Sequence, residues 1–486
     1  MSRVPPLRYL AAPGRRRPPL RAAGAVPLAV LVLAALSLGA GPCTHPLPAD
    51  PAATVHLDPA QRFQRIDGFG GSAADETTLR AMPEPDRSAV MDLVFGDLAP
   101  SVVRIKPRPA MEPVNDDADP NHVNPAGFVR PDDHLWQVDE IFARGDPKLL
   151  GALWTPPAWM KTTGQECCGG TLLPGMAPEL AEFFSVYLSY LEAEGHPLDW
   201  LSIQNEPEAA SPWDANTYGP AEYAATAEVI AQRLVADGHT TRLVGPDNAV
   251  ASFTSLFTNA FLLEPTVVSR LEAVAFHDYQ YGYYDIDPIG ASTASLRSVT
   301  PASLPLWMTE FSNTTGVGYG TWDEAMAQAE LVHTTLVNGA SMYVMWNLYR
   351  PGGPGEALVV IPTQSGAGGY TVTPKYWTFR QYCRYVRPGA VRIGAGSSDP
   401  DLLVSAYRDD AAGRTVAVLI NRAAGGRWAL FDDPALGGVP AVVRSSESES
   451  GVELPVDSTE RFGPRGIHVP ARSVTTVVWT DGGGTP

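Results

Sequence analysis

PELAEFFSVYLSYLEAEGHPLDWLSIQNEP, residues 178–207, contains the unit from which the fold is read. Apolar residues recur every three or four positions over 178–194, as on the buried face of a surface helix. A short apolar run over 200–206 then reads as a strand, and Pro207 ends its ladder because it has no N–H to donate. Similar strand-like runs lie near 65–71, 101–106, 148–155, 242–247, 272–279, 304–310 and 341–347. Helical patterns at 86–95, 221–236 and 322–338 fall between them. Eight strands alternating with helix-length segments predict an α/β fold, a closed (β/α)8 TIM barrel.

Beyond about residue 382 the pattern changes to short alternating runs, at 402–407, 415–421 and 474–479, broken by Gly, Pro, Asp and Ser. This predicts a β-sandwich. The run 54–63 is also strand-like and is expected to join that sandwich, bringing the ends of the mature chain together. The expected division is an export signal at 1–42, a linker with the sandwich's N-terminal strand at 43–66, a barrel at 67–381 and the C-terminal sandwich at 382–486. A length of 486 residues suits one large barrel with a smaller companion.

The export signal is read from Arg15, Arg16, Arg17 and Arg21 ahead of an apolar run at 22–38 and the small residues Gly39, Ala40 and Gly41. Secretion is expected; an anchored form, through an uncleaved signal or lipid on Cys43, is the alternative, and Pro42 is a poor match to a lipid-attachment signal. The net charge of −18 opposes binding to nucleic acid and to anionic membrane surfaces, so a neutral partner is expected. Four cysteines are too few for a disulfide scaffold, and adjacent Cys167 and Cys168 are either a vicinal disulfide or two thiols. Asp117, Asp119 and Asn121 imitate the opening of a calcium loop, but His122 and Phe128 stand where that loop needs Gly and Glu. No metal site and no cofactor are predicted. Oligomeric state is not legible.

In a barrel, chemistry sits at the C-terminal strand ends. One strand here ends in Gln204-Asn205-Glu206-Pro207, another in Trp307-Met308-Thr309-Glu310. Two carboxylates at one mouth are what glycoside hydrolysis needs: one protonates the leaving oxygen, the other attacks or activates water from the opposite face. The chain resembles glycoside hydrolase family 30, the glucosylceramidase-like group, over nearly everything after the export signal. The resemblance rests on Gly68-Phe69-Gly70-Gly71-Ser72, the run from Trp154 to Lys161 (WTPPAWMK), Gln204-Asn205-Glu206-Pro207, Thr309-Glu310-Phe311 and Trp346-Asn347-Leu348.

The resemblance implies a retaining β-glycosidase acting on a carbohydrate substrate, with Glu206 as acid/base and Glu310 as nucleophile. It further implies that Arg104 bonds the nucleophile, that Asn205 binds the neighbouring sugar hydroxyl, and that Tyr279 lies close to Glu310. His277 shares a strand face with Tyr279 and is a candidate substrate contact, a buried, satisfied histidine being the alternative. Trp154 and Trp346, at strand ends, are expected to pack on sugar rings. Asp75 has a counterpart in the family, though helix capping accounts for it equally well. Lys106-Pro107-Arg108-Pro109 departs from the lysosomal-type members' Asp-Phe-Ser stretch, which leaves the sugar open. Xylanase, β-1,6-glucanase and β-1,6-galactanase activities belong to the same family. A non-catalytic sugar-binding protein on this fold is the alternative from another class.

Overall fold

The computed structural model describes residues 50–433, 436–463 and 465–481. The export-signal reading and Cys43 lie outside the described residues. Eight parallel strands close the barrel in chain order: β2 (Gly68–Ala73), β3 (Val102–Ile105), β4 (Lys148–Ala152), β5 (Trp200–Ser202), β6 (Arg242–Asn248), β7 (Leu271–Phe276), β8 (Leu306–Phe311) and β9 (Met342–Met345). They are preceded by β1 (Ala52–Arg65). The helices Ala177–Ala193, Pro220–Ala236 and Trp322–Val337 follow the predicted patterns closely. The predicted helix at 86–95 is α-helical only over Asp86–Met91, after which a wider turn runs from Asp92 to Asp97.

The glycines of the first barrel strand have a steric reason. A Cβ on Gly70 would stand 1.7 Å from the Val102 carbonyl oxygen of β3, so only glycine lets the two strands pair there. Inside the barrel, Val102, Leu150, Val244, Ala273, Ala275, Trp307, Met342 and Val344 form a packed plug. Any site is therefore expected at the rim above it.

After the barrel come a small sheet of β10 (Tyr349–Pro351), β11 (Val359–Ile361) and β12 (Thr371–Val372), then the helix Pro374–Cys383. The C-terminal domain contains β13 (Val391–Ser397), β14 (Leu402–Asp409), β15 (Arg414–Asn421), β16 (Arg427–Phe431), β17 (Ala441–Ser446), β18 (Glu449–Glu453), β19 (Arg461–Phe462), β20 (Gly466–Val469) and β21 (Ser473–Thr480). With β1 they form one ten-stranded sheet in the order β18-β17-β21-β15-β14-β13-β1-β16-β20-β19. The sandwich is this sheet curled on itself: Phe431 of β16 packs edge-on against Trp479 of β21, with ring centroids 4.8 Å apart. β1 joins the two halves, parallel to β16 and antiparallel to β13.

Period-two alternation explains why β15 reads as a continuous apolar run. Val416, Val418 and Ile420 belong to the core shared with the barrel helices, whereas Ala417 and Leu419 belong to the sandwich interior. Both faces of the strand are buried. Polar contacts, among them Trp322 Nε1 donating to the Arg472 carbonyl at 2.7 Å, fix the sheet against the barrel.

Candidate active site

Six neighbouring barrel strands, β3 to β8, each bring a polar or aromatic side chain to the rim, and the last, β9, brings another. Arg104 lies on β3, Trp154 just after β4, Asn205 and Glu206 after β5, Asp247 on β6, His277 and Tyr279 after β7, Glu310 on β8 and Trp346 after β9. Hydrogen bonding in β5 ends at Ser202, four residues before Glu206, so the strand is shorter than the sequence suggests. Glu206 takes the left-handed backbone region, with φ of +50°, which is costly for a residue with a Cβ. The Glu206 N–H donates to the Asp247 carbonyl at 2.9 Å and the Asn205 N–H to the Leu153 carbonyl at 2.6 Å. Neighbouring strands thus hold the bend that Pro207 begins.

The charged groups form one connected network. Arg104, fully buried, donates through Nη1 to Glu310 Oε2 at 2.5 Å and through Nη2 to Asn205 Oδ1 at 2.6 Å and Asp247 Oδ2 at 2.9 Å. His277 bridges Glu206 Oε1 and Asp247 Oδ1, each at 3.2 Å. The Tyr279 hydroxyl donates to Glu310 Oε1 at 3.2 Å, and the Thr309 hydroxyl donates to Asp247. One carboxylate oxygen each from Glu206 and Glu310 and a ring nitrogen of His277 lie within 4.8 Å of one another. Glu206 and Glu310 are 9% and 5% exposed, the small openings a substrate needs.

Burial works against charge throughout this network, and the pairing overcomes it at three of the four shifted groups. Burial lowers the Arg104 pKa, but Asp247 and Glu310 hold it above the usual arginine range. Burial also disfavours a charged His277, yet Glu310 and Asp247 raise it to about 10, so it is an imidazolium at neutral pH. Asp247 is buried too, and Arg104 and His277 hold it far below the usual carboxylate range. Glu310 is the exception: burial, reinforced by Glu206, pushes it up against the pull of His277 and Arg104. Two cations face three carboxylates, a balance that leaves room for one proton. The triplet Glu206, His277 and Glu310 has metal-ligand spacing, but a histidine must be deprotonated to ligate, and both its nitrogens are engaged by carboxylates.

The structure places the predicted binders at different depths. His277, read as a substrate contact or as a buried, satisfied histidine, is fully buried and touches Glu206 and Asp247. Arg104 is fully buried and bonds Glu310. Trp154 is 5% exposed, the Arg104 guanidinium lies 4.5 Å from its ring centroid, and Trp346 is tilted against it at 5.3 Å. Trp346 and Tyr279 are the half-exposed aromatics of the set. Asp75 stands at a helix N-cap without making a capping hydrogen bond, which removes capping as its explanation.

Asp247 was missed, although it binds both cations. The strand-end rule applied to Glu206 and Glu310 would have found it at the end of β6. Cys167 and Cys168 form a disulfide. Their loop is tied to the rim: Cys167 pairs by backbone with Asp214, Asp214 holds Lys106 Nζ at 2.6 Å, and Lys106 lies 5.2 Å from the Trp154 ring centroid.

A closed parallel barrel with a curled β-sheet domain, carrying two carboxylates across its mouth, defines a glycoside hydrolase. No protein-family model matches the sequence. Glucuronoxylanase XynC of Bacillus subtilis (strain 168) is 24% identical over 341 residues, 68% of this chain and 73% of its own. Lysosomal acid glucosylceramidase of Mus musculus is 23% identical over 424 residues, 78% of this chain and 79% of its own. The catalytic domain of GH30 xylanase C from Talaromyces cellulolyticus has the same fold, with a TM-score of 0.72 and 21% identity over 88% of this chain and all of its own. These relatives and structures support glycoside hydrolase family 30.

Proposed function

We propose that the chain is a secreted, retaining β-glycosidase in which Glu310 attacks the anomeric carbon and Glu206 supplies the proton. The approach of their carboxylate oxygens to within 4.8 Å carries this reading. Retention is associated with carboxyl groups about 5–5.5 Å apart, whereas inversion needs about 6.5–9.5 Å to admit a water. Donors suggest the roles: Glu310 accepts from Arg104 and Tyr279, which oppose the upward push of burial, while Glu206 accepts from His277 alone.

In the first step Glu206 protonates the glycosidic oxygen as Glu310 bonds to the anomeric carbon, and the alcohol leaves. In the second, Glu206 takes a proton from water, which displaces Glu310 from the sugar. Two inversions give net retention. Asn205, already bonded to Arg104, is placed to meet the hydroxyl beside the reacting carbon, and Trp346 offers its face to the ring.

The substrate class is a β-linked glycan or glycoconjugate. Within the departure after β3, Arg108 is engaged by Glu76 Oε1 at 2.6 Å and the Ala74 carbonyl at 2.6 Å, while Lys106 stays at the rim beside Trp154. Among the described residues no helix is long and apolar enough to cross a membrane. Sequencing the N-terminus of protein from culture medium is expected to find a start between about residues 40 and 50. An intact Met1 or an acylated Cys43 would overturn soluble secretion.

The mechanism is tested with azide and a pre-activated aryl β-glycoside chosen from a panel. Glu310→Ala is expected to yield an α-glycosyl azide, because azide enters from the vacated side. Glu206→Ala is expected to yield the β-azide by attack on the glycosyl-enzyme. The reverse pairing, or inverted product from the unmodified enzyme by proton NMR, would sink the assignment.

A further inference from the structure

We propose that Glu112, Asp116, Glu179 and Glu182 bind one calcium ion that fastens the loop after β3 to the helix Ala177–Ala193. The residues come from two separate parts of the chain. Glu112 and Asp116 lie in the loop, whereas Glu179 and Glu182 lie one turn apart in the helix's first turns and share a face. One carboxylate oxygen each from Asp116, Glu179 and Glu182 fall within 4.8 Å of one another. Glu112 completes the group electrostatically, in the field of the other three.

The unpaired oxygens point to a ligand. Glu112 and Glu182 are fully buried, and no oxygen of either carboxyl has a well-formed hydrogen bond, the Asp116 N–H beside Glu112 and the Glu179 carboxyl beside Glu182 being their polar neighbours; one oxygen of Glu179 is likewise buried and unbonded. Asp116 is half-buried, and its oxygens accept from the N–H groups of Asp117 at 2.8 Å and Asn124 at 2.6 Å, leaving lone pairs free on each. Among the described residues no Lys, Arg or His forms an ion pair with any of the four. Arg233, the cation whose field reaches Glu182, is bonded to Asp237 and to the Pro120 carbonyl, and Asp117 adds a further negative charge nearby. Buried carboxylates left this way must take up protons or a cation. Burial and mutual repulsion push Glu112 and Glu182 up to about 8, which is the proton alternative made visible.

An all-oxygen donor set without His or Cys selects a hard cation. Oxygens bound to one calcium at about 2.3–2.6 Å stand up to about 5 Å apart, the span found here, whereas magnesium demands a tighter octahedron. These are not the residues of the calcium-like run at 117–121, whose spacing fails.

The test uses the purified mature chain, stripped with a chelator and titrated with calcium chloride, magnesium chloride serving as comparison. One calcium per chain by calorimetry is expected, with a thermal midpoint that climbs several degrees as calcium rises. Glu182→Gln and Glu112→Gln should each weaken calcium affinity by about tenfold or more. In chelator the same variants should melt above the unmodified protein, since each removes repulsion, which also shows that they fold. A stripped protein that takes up no calcium and gains no thermal stability from it would overturn the proposal, as would variants that keep full calcium affinity.

Discussion

The barrel carries two groups of buried carboxylates, and they are compensated in opposite ways. At the mouth, Asp247, Glu206 and Glu310 enclose Arg104 and His277, and every one of these side chains has a charged partner within 3.2 Å. Under the loop after β3, Glu112, Asp116, Glu179 and Glu182 form no ion pair with a cationic side chain among the described residues. The contrast teaches that burial alone does not set a carboxylate's state. Desolvation disfavours charge at both places, yet Arg104 and His277 keep Asp247 ionised while Glu112, beside other acids, is driven towards its neutral form. Chemistry needs the first condition, because a nucleophile must stay charged while it is shielded from water.

The sharpest way to break the contrast is to remove carboxylates at the mouth. Glu310→Ala is expected to reduce turnover of every glycoside to background, measured by product release, since the proposed mechanism gives attack on the anomeric carbon to Glu310 alone. Glu206→Ala should cost about 10²–10⁴-fold on substrates with poor leaving groups and far less on activated aryl glycosides, by comparison of kcat/KM across leaving groups. If both variants lost the same factor on every substrate, the division of roles would be wrong.

Removing the cation comes next. Arg104→Met leaves Asp247 and Glu310 buried without their shared partner, and a loss of about 3–5 kcal/mol in unfolding free energy is expected from denaturant titration. Asp247→Asn is expected to lower the His277 pKa, which NMR titration of the imidazole would follow. No change in that titration would show that Asp247 does not hold the ring.

Proton linkage separates the two groups with smaller effects. His277 is raised from 6.5 to about 10, so its stabilisation is complete below about pH 6.5 and fades as pH climbs through about 10. Asp247 is depressed, so its contribution is complete above about pH 4 and is lost only in strong acid. Glu112 and Glu182 are raised from 4.5 to about 8, so without calcium their contribution drains away as pH rises from about 4.5 through 8. Melting in chelator is therefore expected to weaken across that range, and calcium to flatten the slope at its upper end. An identical slope with and without calcium would remove the distinction between the groups.

Much of this was legible in the chain because barrel strands buried on both faces read as apolar runs, and helices carry a different period. Glu206 and Glu310 were legible because polar residues at apolar strand ends stand out. The early end of β5 was not, since a left-handed Glu206 leaves no composition signal. Asp247 was passed over within a strand reading, although two cations depend on it. The unpaired acids were hidden for a different reason: Glu179 and Glu182 look like the polar face of an amphipathic helix until the fold lays Glu112 and Asp116 on that face. The curled sheet was legible in its strands and not in its single continuous pairing, which depends on β1 meeting both β13 and β16.

That meeting also sets the order in which the molecule can be completed. Thr54 donates its N–H to Ser398 Oγ, 344 residues further along, and Val55 pairs with both Ser397 and Phe431. The first strand of the described residues therefore waits, unpaired, until the whole barrel has been made and β13 and β16 follow it. Such long-range closure is slow, and an unpaired strand is a template for wrong neighbours in the interim. A chain truncated before β13 would keep all eight barrel strands and still expose β1 along both edges, so interrupted synthesis of this protein should produce aggregates rather than a free-standing barrel.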